Sequence, residues 1–332
     1  MNKLLGIAGL ILVVALVTTW LSYDPATGNF PFLSSYNLEN LLRRLGMFGV
    51  LSIAAAFVIV TGGIDLSIGS VVCVSGCVLP WLLGSCGLPS WLALPAVLLL
   101  SAAIGLWHGF LVVGLRLQPF VVTLCGLLIY RGLMRNFTGD QTMGLGDAGE
   151  GLRWLATGKI QITDGFGLPA PICVLTLVAV ATGLIWQRTV WGRHLFALGR
   201  NEEAARFAGV ATGRLTVMAY VSCSLLAGLG GCLFVLDVNS AQASNFGNFY
   251  ELYAIAGAVL GGVALRGGEG LVLGVVLGAA LMQLLSNTIN LVANSNQLEF
   301  AVVGAVILMG AAFDELVRRW VAFRAVRRKK TI

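Results

Sequence analysis

Charge is what this 332-residue chain has least of: Asp, Glu, Lys and Arg make up 11% of it, where an ordinary soluble domain carries roughly 25%. Hydrophobic residues supply 58%, and the mean hydropathy is +0.89. One soluble core of this size cannot enclose so much apolar surface. The excess must meet lipid, which excludes a cytosolic enzyme. Histidine occurs twice, as His108 and His194 in unrelated contexts, so no Ser/His/Asp arrangement for nucleophilic catalysis emerges. The seven cysteines, Cys73, Cys77, Cys86, Cys125, Cys173, Cys223 and Cys232, form no C-x-x-C pair and have no His beside them. Neither a metal site nor a disulfide framework follows, and most of these residues read as small hydrophobes at helix contacts. A phosphate-binding loop is missing too. The sole Gly-Lys pair, Gly158-Lys159, has Arg153 where the first glycine of a P-loop belongs and Ile160 where the hydroxyl belongs. Any ATP motor must therefore be another polypeptide.

What the chain does have is long apolar runs, at 4–22, 46–61, 67–83, 91–113, 120–133, 168–186, 216–236, 252–264, 271–285 and 298–313. At roughly 20 residues per span these predict an all-α polytopic bundle of about ten membrane segments, in one transmembrane domain over 1–332. The runs are continuous rather than alternating, which excludes a sheet barrel. Glycine is abundant at 43 and proline scarce at 8, a balance suited to close helix packing. Several runs are short and punctuated by Gly pairs, as expected where a helix breaks inside protein. The first run follows Lys3 and lacks an A-x-A-like cleavage site, so it reads as a retained helix.

Basic residues give the orientation. The formal charge of +6 does not imply a nucleic-acid partner, because seven basic groups crowd the tail at 316–332, where a cytoplasmic anchor accounts for them. Segment 187–215 holds Arg188, Arg193, Arg200, Arg206 and Arg214, whereas the stretches following 236 and 285 hold no Lys or Arg before the next run. Both termini are expected in the cytoplasm. Arg43 and Arg44 then fall on the outer side, and 36–45 is read as an interfacial amphipathic helix whose long side chains snorkel.

Polar residues at membrane depth, each charge costing about 2.5–3.5 kcal/mol at a helix centre, point to transport rather than anchoring. Gly62, Gly63, Asp65 and Ser67 interrupt two apolar runs. Asp65 or Ser67 is read either as a cap on the next helix or as part of a broken helix lining a pathway. An ion-coupled carrier would use Asp65 as its proton or sodium site. Gln283, Asn287, Asn290 and Asn294 share one helix face. They either bond neighbouring helices or line a wet path suited to a neutral hydroxylated solute. Ser240, Gln242, Ser244, Asn245, Asn248 and Tyr250 offer similar chemistry on the outer side. In 192–210, Asn201 is a helix cap, Glu202 and Glu203 favour the positive end of the dipole, Ala204, Ala205 and Arg206 continue the turn, and Gly209 ends it.

Four stretches together resemble the permease subunits of ribose-type, simple-sugar ATP-binding-cassette importers. They are Thr61-Gly62-Gly63-Ile64-Asp65-Leu66-Ser67-Ile68-Gly69-Ser70; Pro119-Phe120-Val121-Val122-Thr123-Leu124 through Tyr130-Arg131-Gly132; Asn201-Glu202-Glu203-Ala204-Ala205 through Gly209-Val210; and Tyr250-Glu251-Leu252 through Gly261-Gly262 and Gly267-Gly268. The resemblance implies a multi-pass inner-membrane permease that performs no chemistry itself, with ATP and Mg on a cytoplasmic ATPase and no cofactor on this chain. It implies a second permease copy or a related chain, and a periplasmic sugar-binding protein. It makes Arg200 to Arg206 and Gly209 the ATPase-docking element, and Thr123, Arg131 and Glu251 pathway candidates. A branched-chain amino-acid-type permease is the alternative of similar architecture. The chain departs from the family pattern at Cys125-Gly126, at Gly199-Arg200 before the docking element, and at Ala264.

Overall fold

The computed structural model describes residues 2–25, 28–163, 165–292, 301, 304, 305 and 308. In chain order its elements are α1 (Asn2–Leu21), α2 (Ser35–Val60), α3 (Ile68–Pro80), α4 (Ser90–Gly114) and α5 (Pro119–Thr138), then β1 (Thr142–Gly144), α6 (Glu150–Thr157), β2 (Lys159–Thr163) and β3 (Phe166–Pro169). They continue with α7 (Ala170–Arg188), α8 (Val190–Arg200), α9 (Glu202–Phe207), α10 (Thr212–Val238), β4 (Ser240–Gln242), α11 (Tyr250–Leu260) and α12 (Val272–Val292).

Eight helices among the described residues are long and apolar enough to cross a membrane, against the ten expected. The run at 252–264 forms α11, whose 11 residues fall short of a full span. The run at 298–313 and the basic tail at 316–332 lie outside the described residues, a few positions of the former excepted. Segment 36–45 is not a separate interfacial helix: it is the beginning of the 26-residue α2. Two of its three charged residues are engaged with protein, Glu39 with Lys159 and with the Gly167 N–H at 2.8 Å, and Arg43 with Asp237 at 3.6 Å. A partner within the bundle removes the need to snorkel.

The helix α2 is the axis of the bundle, with 83% of its apolar window buried, while α1 on the periphery has 6%. At one end, here the near end, lie α8 and α9; β1, α6 and the β2–β3 hairpin lie at the far end. The chain passes between these ends in alternation, α2 running from far to near and α10 back again. Two passes are not continuous helices. After α2 the chain returns extended through 64–66 before α3 begins inside the bundle, and after α10 it forms β4 and turns before α11 begins.

The ends of α2 and α11 are built alike. Gly62 and Gly262 sit at φ +86° and +87°, and the following N–H groups reach back to the carbonyls of Val58 and Ala258 at 3.2 and 3.1 Å. This Schellman arrangement needs a residue without Cβ at the left-handed position. β1 and β4 pair antiparallel, with Met143 opposite Ala241, and join the loop after α5 to the segment entering α11.

Small residues set the helix spacing. Gly257 and Gly261 on α11 face Gly274 and Gly278 on α12, and a Cβ on Gly278 would collide with the Gly257 carbonyl and stand 2.8 Å from the Gly261 Cα. Without a hydrophobic drive between helices in lipid, such close backbone contact supplies the attraction. Gly278→Leu is expected to cost about 1–3 kcal/mol and to lower the melting midpoint in detergent, followed by fluorescence-detected size exclusion. Gly6→Leu, on α1 where nothing lies within 4 Å, is expected to melt as the parent does.

Candidate functional site

The residues singled out from sequence gather at three levels. At the near end Asn201 accepts the Ala204 N–H on its side chain at 2.9 Å, with Glu202 and Glu203 in the first turn of α9. Gly209 ends the helix at φ +82°, and the Val210 N–H reaches the Ala205 carbonyl at 3.0 Å. Ala205 is buried and anchors the helix. Phe207, by contrast, is 85% exposed, the highest value among the exposed large hydrophobics. Sequence reading assigned Phe207 no role, because nothing in the adjacent residues shows which way its side chain faces.

The junction beneath α9 joins three of the four family-like stretches. The Val60 carbonyl accepts the Gly268 N–H at 2.8 Å, and Gly199 lies so close that a Cβ there would collide with that carbonyl and with the Gly268 backbone. Arg200 Nε donates to the Gly268 carbonyl at 3.3 Å. The departure at Gly199-Arg200 thus has a use, since the arginine ties α8 to the loop between α11 and α12. Gly267 packs against the Gly62 N–H at 2.7 Å from its own Cβ direction, which brings both Gly pairs into one contact.

At mid-depth, Asp65 is 2% exposed and braces the turn that enters α3: its Oδ1 accepts the Ser67 N–H at 2.8 Å and the Ser67 hydroxyl at 2.6 Å, Ser67 being the N-cap residue. The Thr123 hydroxyl, 3.2 Å from the Ile64 carbonyl, ties α5 to the same extended segment. Asp65 Oδ2, the Tyr220 hydroxyl and His108 Nδ1 are buried with no hydrogen-bond partner among the described residues. His108 Nε2 pairs with the Tyr130 hydroxyl at 2.9 Å, and Gly126 leaves the room that the His108 ring occupies.

The start of α3 meets the start of α11. A Cβ on Gly69 would collide with Glu251 Oε2 and with the Gly247 carbonyl, so the carboxylate lies against the free N–H groups that open α3, where negative charge is favoured. Arg131 Nη1 donates to the carbonyls of Ala243 and Phe246 at 3.1 and 3.2 Å, holding the segment that enters α11 and standing within electrostatic reach of Glu251. Irregular backbone inside a membrane protein is tolerated only with such partners.

The remaining candidates lie at the far end, away from this level. Gln242 is in β4 and donates to the Asp140 carbonyl at 3.3 Å. Asn287 donates to Asn37 Oδ1 at 2.7 Å, so it bonds a neighbouring helix, while Gln283, Asn287 and Asn290 also line a polar pocket. Asn294 lies outside the described residues. Asn37 and Asp237 were not singled out, since only their distant neighbours give them a role.

An α-helical bundle with eight helices able to cross a membrane and two interrupted passes has the architecture of a membrane transport protein. Residues 37–311 match the family described as branched-chain amino acid transport system / permease component, and the chain belongs to it. It is 33% identical over 311 residues to the ribose import permease protein of Escherichia coli strain K12, covering 93% of this chain and 92% of that one. The Bacillus subtilis strain 168 ribose import permease protein is 33% identical, over 95% and 93% of the two chains. The xylose transport system permease protein of Escherichia coli strain K12 is 27% identical, over 96% and 94%. The branched-chain designation is the family's name; these relatives are named for sugars. No solved structure matches the chain.

If Asp65 braces the entry to α3, Asp65→Leu is expected to destabilise the protein by about 1–3 kcal/mol, read as a lowered detergent melting midpoint. Asp65→Asn, which keeps an acceptor for Ser67, is expected to lose much less. Equal losses for the two variants would contradict the assignment.

Proposed function

We propose that this chain is the membrane-spanning permease subunit of an ATP-driven importer for a monosaccharide of the ribose or xylose class. It works beside a second copy or a related chain, with a cytoplasmic ATPase at the near end and a periplasmic sugar-binding protein at the far end. Both termini are cytoplasmic in this arrangement, in agreement with the arginines of 187–215 and the basic tail. ATP and Mg belong to the ATPase; the permease supplies the path.

The observation that carries the reading is α9. A six-residue helix outside the apolar bundle, capped at both ends, displays Phe207 to water, where an aromatic side chain gains by entering a partner's groove. Ala205 on its other face is buried, and the helix follows directly on α8, whose last residues Gly199 and Arg200 meet Val60 and Gly268. Closure of an ATPase pair would displace α9 as a rigid peg. That displacement passes to the end of α2 and the loop after α11, and Gly62 and Gly262 supply the backbone joints. The sugar class is supported by the relatives' names and by the amide-lined far end.

The test is uptake of ribose and xylose by proteoliposomes holding permease, ATPase and binding protein. Transport is expected only with all components and ATP; uptake driven by a proton or sodium gradient with the permease alone would overturn the reading. Proline at 205 removes the N–H that bonds the Asn201 carbonyl at 3.0 Å and costs about 3 kcal/mol or more in a helix interior. Ala205→Pro is therefore expected to abolish coupled uptake while the chain still inserts. Glu203→Pro falls in the first turn, where proline is tolerated, and is expected to retain most uptake.

A further inference from the structure

The far end contains a feature that neither the capping geometry nor the junction beneath α9 uses. Between the beginning of α2 and the ends of α10 and α12 lies a pocket of about 340 Å³. Apart from Leu41 and Tyr36, its lining residues are amides, a serine and charged side chains. Arg43 and Asp237 face each other across it at 3.6 Å, too far for a closed hydrogen bond, and Arg43 Nε is buried with no partner among the described residues. Ser286 is 3% exposed, yet its hydroxyl has no such partner, although a helical serine ordinarily donates to the carbonyl one turn back. Asn290 Oδ1 is left in the same condition. Gln283, 3% exposed, also contributes to the wall.

We propose that this pocket binds one monosaccharide ring on its way from the binding protein into the bundle, an inference that rests on the importer reading above and names a site within it. A sugar hydroxyl both donates and accepts, so it can satisfy Arg43 Nε and Asn290 Oδ1 alike. Vicinal hydroxyls match the spacing of a guanidinium or carboxylate fork. Asp237 offsets the charge of Arg43, and Arg44 also stands in the lining. The amides of Gln283, Asn287 and Asn290 both donate and accept, which suits a neutral polyol, and an anion is the competing occupant that the test below separates. The volume lies at the small end of ligand pockets and fits a single ring. Tyr36, on the rim and 78% exposed, offers an aromatic face to the apolar side of the ring.

The test uses the assembled importer in proteoliposomes, with Asn290→Cys labelled by a membrane-impermeant maleimide. None of the seven native cysteines lines the pocket, so labelling above the parent's reports position 290. D-ribose or D-xylose is expected to slow that labelling, and Gln283→Leu to raise the half-protecting sugar concentration by roughly tenfold. Labelling unchanged by either sugar in an importer that still takes up ribose or xylose would overturn the pocket and leave the importer reading standing. Protection by inorganic phosphate but not by sugars would overturn it in favour of an anion or lipid-headgroup site. Absence of both protection and monosaccharide uptake would overturn the pocket together with the reading on which it rests.

Discussion

The carbonyl of Val60 occupies the point on which the two interrupted passes and the aqueous helix converge. It ends α2, accepts the Gly268 N–H at 2.8 Å, and is approached by Gly199 more closely than any residue with a side chain would permit. Three backbone strands share one contact, leaving no soft side chain to absorb displacement. Packed interiors pass on rigid-body shifts rather than spreading them continuously. In the importer reading, a push on α9 would reach this contact through the end of α8, with no side chain between Gly199, Val60 and Gly268 to absorb it. This would replace any engine within the chain.

The rest of the fold answers the problem this design creates. Interrupting a pass exposes N–H and carbonyl groups where no bulk water can satisfy them. The first interruption is met by Asp65 bonding Ser67 and by Thr123 reaching Ile64. The second is met by Arg131 holding the carbonyls of Ala243 and Phe246. Glu251 against Gly69 links the two. Charged residues at mid-depth are thus spent on backbone groups, while the polar pocket with Arg43 and Asp237 lies separately at the far end. In the proposed reading, mechanical and recognition chemistry occupy different levels of one bundle.

Local features were readable from the residues alone. Asn201 and Gly209 bracket a short helix because capping depends on a few adjacent residues, and Gly62 marks a helix end for the same reason. Continuous apolar runs located all eight membrane-length helices of the described residues. What failed was whatever depends on distant partners: Arg43 looked like a snorkelling residue until Asp237, far along the chain, gave it a counter-charge within the bundle. The shortness of α11 was legible too, since its run is short and carries the Gly261-Gly262 pair, as a helix broken inside protein would. Asp65 illustrates the middle case. Its bonding at the opening of α3 was among the readings, but its burial and the unpartnered Oδ2 required the packing of α4, α5 and α10 around it.

The most direct measurement is the number of sugar molecules imported per ATP hydrolysed by the reconstituted complex carrying Gly199→Ala. The added methyl collides with the Val60 carbonyl and the Gly268 backbone without touching ATPase, pocket or cap. The account predicts that ATP hydrolysis persists while imported sugar per ATP falls by at least about fivefold, the lower end of ordinary coupling energies. An unchanged ratio in a variant that folds and binds its ATPase normally would contradict it.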